Sequence, residues 1–314
     1  MHLLTLARCL AIRTSHAYFL LDETTTMPSM QFPSMGERKG TVSAFVELEW
    51  PMMKIISWNV NSIRLRIHLI EKMVREEAPD VICLQETKVE DKNFPLEPLQ
   101  RLGFDHIELF GMKAYHGVAV LSRVPLANHR KYHWCNIADA RHQSVELPNG
   151  VDLHNIYLPA GGNEPDPKTN KKFDHKLRFF NEQAAWWSAQ DIGQKRILLG
   201  DLNVAPLETD VWSHKQLLKV VSHTPIEVEH FGRMQQAHGW VDAVRAKIDP
   251  DEPLFSWWSY RARDWRASNR GRRLDHIWVT PSLAPAVKDA RVLVDARGWE
   301  KPSDHAPVLL ELNR

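Results

Sequence analysis

Residues 54–84 read KIISWNVNSIRLRIHLIEKMVREEAPDVICL and combine two hydrophobic patterns. The apolar run at 54–60 predicts a buried strand, and VICL at 81–84 predicts a second one. Between them, apolar residues from Leu65 to Val74 recur at the spacing of one helix face, and Pro79 ends this predicted helix. The stretch therefore predicts that strands and helices pack together in one domain.

The chain beyond residue 84 continues in the same manner. The patterns predict further strands at 117–121, 141–147, 151–157, 196–199, 274–279 and 308–312, and helices at 173–190 and 234–247. Short strands with helices spaced among them favour packed sheets flanked by helices, in an α/β or α+β domain.

Composition excludes several classes of protein. The chain has 314 residues with a net charge of +1, 43% hydrophobic and 25% charged residues, which excludes charge-driven disorder. The sequence lacks the roughly 18-residue apolar run that a membrane helix needs. Three scattered cysteines predict neither a disulfide framework nor a structural zinc site. The charge balance gives no sign of nucleic-acid binding by itself, since that sign is a strongly basic domain.

The first 52 residues differ from the rest. Residues 1–21 contain Arg8 and Arg13 and no acidic residue, and a Ser-, Thr- and Pro-containing stretch with several methionines follows. Three interpretations stay open: an over-extended gene start, a weakly ordered arm, or an organelle-targeting peptide. We expect an N-terminal extension over 1–52 and a single domain over 53–314.

Polar side chains stand where the predicted strands end or begin. They are Asn59, Asn61, Glu86, Tyr157, Asp201, Asn203, Asp275, Asp304 and His305. Each alone is more typical of a turn or a helix cap than of a catalyst. Their repeated placement at strand ends predicts a polar cleft on a rigid frame.

Seven segments carry a family resemblance. They are SWNVNSIR at 57–64, PDVICLQETKV at 79–89, GVAVLSR at 117–123, IYLPAGG at 156–162, LLGDLNVAP at 198–206, NRGRRLDHIWV at 269–279 and KPSDHAPV at 301–308. In order and spacing they resemble the exonuclease III family of abasic-site endonucleases, within the DNase I-like endonuclease/exonuclease/phosphatase superfamily. The resemblance covers residues 53–314 and implies a four-layer α/β sandwich: two mixed sheets face to face, with helices on both outer sides.

The resemblance also implies roles for the polar residues. Glu86 matches the main metal ligand, with Asn61 and Asp304 as neighbours, and hard oxygen ligands suit Mg²⁺, with Mn²⁺ as a substitute. Asp201 matches the residue that orients or deprotonates the attacking water, and Asn203 helps to hold it. His305 matches a histidine that contacts the scissile phosphate. The remaining matches are the orienting carboxylate Asp275, the phosphate-proximal Tyr157 and the supporting Asn59. Asp201 and His305 both stay open as the general base, and we favour Asp201.

Residues 255–275 predict the substrate contacts. They hold six arginines against two aspartates, together with Trp257, Trp258, Tyr260 and Trp265. Arginines neutralise phosphates and aromatic rings wall a sugar pocket or stack on bases. The resemblance implies that Trp257 and Leu274 line the pocket for the abasic deoxyribose. It also implies that Asn269 and Arg270 contact phosphate, whereas Arg272 stands where some relatives carry an apolar residue.

The expected activity is that of a Mg²⁺-dependent DNA-repair nuclease. It hydrolyses the phosphodiester 5′ to abasic sites in duplex DNA, with 3′→5′ exonuclease and 3′-end-cleaning activity. The alternatives are another DNase I-like phosphodiesterase and a catalytically inactive nucleic-acid-binding regulator. We expect a monomer without membrane association that acts in the cytoplasm at the nucleoid, with organelle targeting by residues 1–52 as the alternative.

Overall fold

The computed structural model of the protein describes residues 52–148 and 150–313. The extension predicted over residues 1–52 lies outside the described residues except for Met52. Within the described ranges, no helix is long and apolar enough to cross a membrane.

Fourteen strands and six α-helices form in the described part of the chain. The strands are β1 (Met53–Asn59), β2 (Val81–Gln85), β3 (His106–Phe110), β4 (Val118–Ser122), β5 (Ala127–Trp134), β6 (Ile137–Glu146), β7 (Asp152–Tyr157), β8 (Arg196–Asp201), β9 (Val241–Asp242), β10 (Trp257–Trp258), β11 (Gly271–Arg272), β12 (Asp275–Val279), β13 (Val287–Val292) and β14 (Val308–Leu312). The helices are α1 (Ile63–Glu77), α2 (Leu96–Gln100), α3 (Lys171–Ser188), α4 (His214–Leu217), α5 (Pro225–Ala237) and α6 (Trp265–Ser268).

Two six-stranded mixed sheets and one short ribbon organise the strands. The first sheet has the order β13-β14-β1-β2-β4-β3, in which only β1 and β2 are parallel. The second has the order β5-β6-β7-β8-β12-β9, in which only β7 and β8 are parallel. The antiparallel ribbon β10–β11 stands outside both sheets.

The sheets pack face to face around an apolar core. Strand residues alternate between the two faces of a sheet, so Ile55 enters this core while its neighbour Ile56 faces the other side. Val145 and Leu199 of the second sheet join Ile55 in the same buried cluster. Burying both inner faces in this way is the main driving force for the sandwich.

Helices cover the two outer faces. Trp58 of β1 and Met73 of α1 belong to one buried cluster on the outside of the first sheet. Phe180 of α3, Phe231 of α5 and Trp278 of β12 belong to another, on the outside of the second. The molecule is therefore a four-layer α/β sandwich with helices on both outer sides, which confirms the predicted fold class.

One predicted helix is wrong. The pattern predicts a helix at 234–247, but helix α5 spans Pro225–Ala237 and the chain then enters β9. Thr224 and Glu227 form a reciprocal capping box, and Pro225 occupies the first turn, so the helix begins earlier than its apolar pattern indicates. Gly239 has φ +63 and ends the helical path.

Candidate active site

Strand direction explains why the polar residues meet. The parallel strands β1 and β2 finish at one edge, where Asn59 is the last residue of β1 and Glu86 follows β2. Likewise, Tyr157 and Asp201 end the parallel strands β7 and β8 and pair in register. Strand β12 is antiparallel to β8, so its first residue, Asp275, pairs with Asp201. The predicted gathering at strand ends is what the topology produces.

Asn59 joins the two sheet edges. Its amide Nδ2 donates to Glu86 Oε1 at 3.0 Å and to Asp201 Oδ2 at 2.9 Å. Its Oδ1 accepts from the backbone N–H of Asn61 at 3.1 Å. Because the Asn59 side chain is fully buried, these bonds fix the separation of the two carboxylates.

His305 lies between two carboxylates. Its Nδ1 is 2.8 Å from Asp275 Oδ2, and its Nε2 is 3.7 Å from Asp201 Oδ2. The hydroxyl of Ser256 donates to Asp275 Oδ2 at 2.6 Å and accepts two backbone N–H groups, those of Leu274 and Asp275, at 3.0 Å. Asp275 is thereby fixed, and it orients the imidazole with Nε2 toward Asp201.

This pair of charges changes the titration of both partners. Burial lowers the pKa of His305, but Asp275 and Asp201 outweigh it and raise that pKa to about 10. Burial raises the pKa of Asp201 to about 7, although the charge of His305 lowers it. At neutral pH the imidazole is thus a cation, and Asp201 exchanges its proton within the working range of a general base.

Tyr157 completes the edge nearest Glu86. Its hydroxyl donates to Glu86 Oε1 at 2.8 Å, and burial together with the Glu86 charge keeps its pKa well above the ordinary value. The buried Arg141 donates to the Tyr157 backbone carbonyl at 3.2 Å and stacks 4.9 Å from the ring centroid. Tyr157 therefore stays protonated as a fixed hydrogen-bond donor.

Asn203 supports Asp201 from behind. Its backbone N–H donates to Asp201 Oδ1 at 3.0 Å, while its side chain donates to the Leu158 carbonyl at 2.9 Å. The buried Lys176 donates to the Asn203 carbonyl at 2.8 Å and pairs with the equally buried Glu227. The backbone N–H and the backbone carbonyl of Asn203 are therefore both hydrogen-bonded, which fixes the loop after β8.

The donor set around Glu86 suits a cation. Lys88 Nζ lies 2.7 Å from Glu86 Oε2 and 2.6 Å from Asn61 Oδ1, so two hard oxygen donors already converge on one positive charge. Burial raises the pKa of Glu86, but Lys88 and its hydrogen-bond donors outweigh this effect and hold it at about 2. Asp304 receives Asn61 Nδ2 on one oxygen and Trp257 Nε1 on the other, both at 2.9 Å. Glu86, Asn61 and Asp304 thus form a set of hard oxygen donors that could hold a divalent cation.

A second group could also hold a metal ion. One ligand atom from each of Asp201, Asp275 and His305 lies within 4.8 Å of the others, and all three residues are buried. His305 Nδ1 is engaged by Asp275, which leaves Nε2 as its free atom. The geometry of this group suits proton transfer better than ligation.

The cluster opens into a cleft of about 620 Å³. Trp257, Leu274 and Arg270 line it, together with the polar residues Glu86, Asp201, Asp304 and His305. Asn269 does not line this cleft, and its Oδ1 accepts from Trp258 Nε1 at 3.1 Å.

Sequence reasoning missed four residues that hold the cluster: Lys88, Ser256, Arg141 and Lys176. Lys88 lies inside one of the segments that carry the resemblance, two residues after Glu86, and Ser256 lies in the stretch 255–275, one residue before Trp257. Arg141 was detectable as the basic first residue of the strand predicted at 141–147, and Lys176 as a basic residue within the helix predicted at 173–190.

Two mixed sheets with a carboxylate-rich cleft at one edge define a DNase I-like phosphodiester hydrolase. A family model described as Endonuclease/Exonuclease/phosphatase family matches residues 56–305. The chain is 33% identical over 272 residues to exodeoxyribonuclease III of Haemophilus influenzae, across 82% of this chain and 99% of that protein.

Solved structures agree. An AP endonuclease from Archaeoglobus fulgidus and a 3′ phosphatase from Neisseria bound to product DNA hairpin each align with a TM-score of 0.77 and 30% identity, over 83% of this chain and 100% of theirs. The chain belongs to the endonuclease/exonuclease/phosphatase family and, within it, to the exonuclease III family of abasic-site endonucleases. It is a nuclease.

Proposed function

We propose that this nuclease hydrolyses the phosphodiester 5′ to abasic sites in duplex DNA, and that it also has 3′→5′ exonuclease and 3′-end-cleaning activity. The observation that carries the proposal is the placement of Asp201. Its carboxylate lies 3.7 Å from the free nitrogen of a cationic His305 and is joined to Glu86 through a single asparagine side chain.

The metal in this proposal is Mg²⁺, with Mn²⁺ as a substitute. Glu86, Asn61 and Asp304 would hold it, and a bound Mg²⁺ supplies charge neutralisation at the phosphate. Lys88 would leave the oxygens of Glu86 and Asn61 when the ion binds, because one set of donors cannot serve both cations.

The chain's own residues perform the proton and charge chemistry. Asp201 takes the proton of the attacking water, since its pKa of about 7 leaves a substantial carboxylate fraction at neutral pH. The His305 cation donates to a non-bridging phosphate oxygen, where charge develops in the transition state. Tyr157 holds Glu86 in place by donating to its Oε1, and Asn59 keeps Asp201 and Glu86 at a fixed separation.

The remaining cleft residues would bind the DNA. Trp257 and Leu274 form the wall against which a baseless sugar would pack, and Arg270 approaches the backbone. An abasic nucleotide leaves the helix more easily than an intact one, because no base stacking is lost there.

We assign the activity to residues 53–314 acting as a monomer, and propose that it acts in the cytoplasm at the nucleoid.

A duplex with one tetrahydrofuran abasic analogue tests the proposal. We expect Mg²⁺-dependent incision that EDTA abolishes, with a 3′-hydroxyl on one product and a 5′-sugar phosphate on the other. Cleavage of an inositol phosphate or phospholipid headgroup without DNA incision would identify a different phosphodiesterase. DNA binding by folded protein without cleavage of any substrate would identify a regulator.

A further inference from the structure

Arg272 lies in the wall of the cleft. The chain is extended around β11, so side chains alternate: Arg270, Arg272 and Leu274 line the cleft, whereas Arg273 turns away into the protein. Trp257 pairs with Arg272 across the ribbon, and the Arg272 guanidinium lies 5.3 Å from the centroid of its ring.

The charge of Arg272 is not compensated by a carboxylate. Its Nη1 donates to the Val221 carbonyl at 3.0 Å and to Ser222 Oγ at 2.9 Å, both neutral acceptors. Its Nε is buried and has no hydrogen-bond partner among the described residues. Within that part of the chain, no carboxylate oxygen forms a salt bridge with it; the acid that acts on it, Glu227, is paired with Lys176.

The neighbouring Arg273 shows what a compensated arginine looks like in this fold. It is fully buried, and its guanidinium reaches Asp210 at 2.9 Å and Asp242 at 2.6 Å. A half-buried guanidinium without such partners costs free energy unless a ligand supplies the negative charge. Arg272 lines the cleft, so a substrate bound there would supply that charge.

Ser222, which accepts a hydrogen bond from Arg272, has a strained backbone conformation. It has φ 91, a left-handed conformation that non-glycine residues rarely adopt. Both Glu227 oxygens accept its N–H, at 3.0 and 2.9 Å, and its carbonyl accepts from Ala205 N at 2.8 Å. The serine hydroxyl is therefore presented to Arg272 by a rigid frame rather than by a mobile loop.

The position of Arg272 relative to the hydrolytic centre determines which part of a bound substrate it can contact. Trp257 donates from its indole to Asp304 and forms a backbone bridge with His305, so its ring separates the hydrolytic centre from Arg272. Three residues of extended chain, about 10 Å, lead from Arg272 to Asp275 beside that centre. Because the Trp257 ring lies between them, Arg272 meets a group beside the scissile phosphate rather than the phosphate itself.

We infer that Arg272 forms an oxyanion-binding subsite that selects the group attached beyond the scissile phosphate. This inference rests on the proposed function and deepens it. The subsite favours a sugar remnant that bears a carboxylate, as in a 3′-phosphoglycolate end, over a neutral remnant of the same size. An apolar residue at this position would pack against either remnant without distinguishing their charge.

Two matched DNA ends test the subsite. One duplex carries a 3′-phosphoglycolate and the other carries its neutral glycolamide counterpart, so the two differ only in the charge beyond the scissile phosphate. We expect the wild-type protein to remove the glycolate with a kcat/KM about tenfold higher, the value of one charge-assisted hydrogen bond in a partly solvated cleft. In Arg272→Leu the ratio falls to about 1, and in Arg272→Lys it takes an intermediate value.

The ratio is measured within one preparation, so the folded fraction cancels. Arg270→Leu is the control: it removes an exposed arginine from the same wall, lowers both rates together and keeps the wild-type ratio. A wild-type ratio near 1, or an undiminished ratio in Arg272→Leu, overturns the subsite while leaving the nuclease intact. If Arg272→Leu does not fold, Arg272→Lys and the wild-type ratio decide the question. Failure of the wild-type protein to remove either end overturns the proposed function and the subsite with it.

Discussion

The two ends of the cleft are built differently. At the carboxylate end, Asp201 and His305 are buried, and each is held by hydrogen bonds to fixed neighbours. At the other end, Arg261 and Arg270 are exposed, and Arg270 touches only the Trp212 ring, at 4.8 Å, among the contacts described. Proton transfer requires fixed distances, whereas recognition of a flexible polyanion requires arginines that can move to it. Substitutions at the carboxylate end should therefore lower the rate of hydrolysis, whereas substitutions at the arginine end should weaken DNA binding.

The largest effect is expected at Asp201. Asp201→Asn keeps the size of the side chain but removes the base and replaces one of its two accepting oxygens with an N–H donor, so the single-turnover incision rate should fall about 1,000-fold. Thermal unfolding should show that the variant remains folded. A rate within tenfold of wild type would assign the base to His305 instead.

Asp242→Asn provides the matched control for that experiment. Asp242 is a carboxylate in the same sheet, but it pairs with Arg273 outside the cleft. Its loss should cost about 2 kcal/mol of unfolding free energy and leave the rate per folded molecule nearly unchanged. A large loss of rate per folded molecule without a loss of stability would mean that Asp242 takes part in the chemistry.

Asp275→Asn should lower the rate by about 100-fold and change its pH dependence. For the wild type we expect activity to rise with pH as Asp201, with a pKa raised to about 7, loses its proton, and to fall as His305, with a pKa raised to about 10, loses its own. Asp275 raises the pKa of His305, so its replacement must move the alkaline limb to lower pH. A single-turnover pH–rate profile measures this shift, and an unmoved alkaline limb would refute the assigned role of Asp275.

Lys176→Met tests the support of the carboxylate end. Lys176 holds the Asn203 carbonyl, so kcat should fall about tenfold, and Glu227 would be left buried without a counter-ion, which lowers stability. Adding Glu227→Gln should recover stability but not kcat. If kcat recovers together with the melting temperature, Lys176 has no positioning role.

The smallest effect is expected at the arginine end. Arg270→Ala should weaken DNA binding modestly and reduce the slope of log K against log salt by about 0.9, the value of one phosphate contact. Fluorescence anisotropy with a labelled duplex at several salt concentrations measures that slope. An unchanged slope would mean that Arg270 does not contact phosphate.

The sequence predicted the carboxylate end better than the rest of the molecule. Residues such as Asn59, Glu86 and Asp201 follow apolar strands, and strand direction alone brings them to one edge. The contacts of the residues that fix them could not be placed, because Ser256 and Lys176 reach residues distant in the chain, and local patterns do not encode such contacts. Ser256, for example, reaches Asp275 only because of the ribbon that β10 and β11 form.

The same limit explains the errors in secondary structure. Strand β5 escaped detection because it is a sheet-edge strand whose residues are mostly exposed and polar. Helix α5 was placed too late because its capping box, rather than its apolar residues, determines where it begins. Hydrophobic periodicity finds elements that bury a face, and it says little about elements defined by caps or edges.

The net charge of +1 is a sum of local charges that cancel. Residues 255–275 carry a local charge of +4, whereas residues 71–97 hold eight acidic residues against four basic ones. The net charge thus averages over stretches of opposite sign, of which Glu86, Arg261, Arg270 and Arg272 line the cleft, and this suits a protein that binds both a divalent cation and a polyanion.

Glu86→Gln tests the central claim most directly. Single-turnover incision of the tetrahydrofuran duplex is measured against Mg²⁺ concentration for the wild type and for this variant, at a pH where both are folded. We predict a saturable, EDTA-sensitive rate for the wild type. For Glu86→Gln we predict a rate at least 100-fold lower together with a higher Mg²⁺ requirement. Equal rates and equal Mg²⁺ dependence would contradict the assignment of this cluster as the hydrolytic centre.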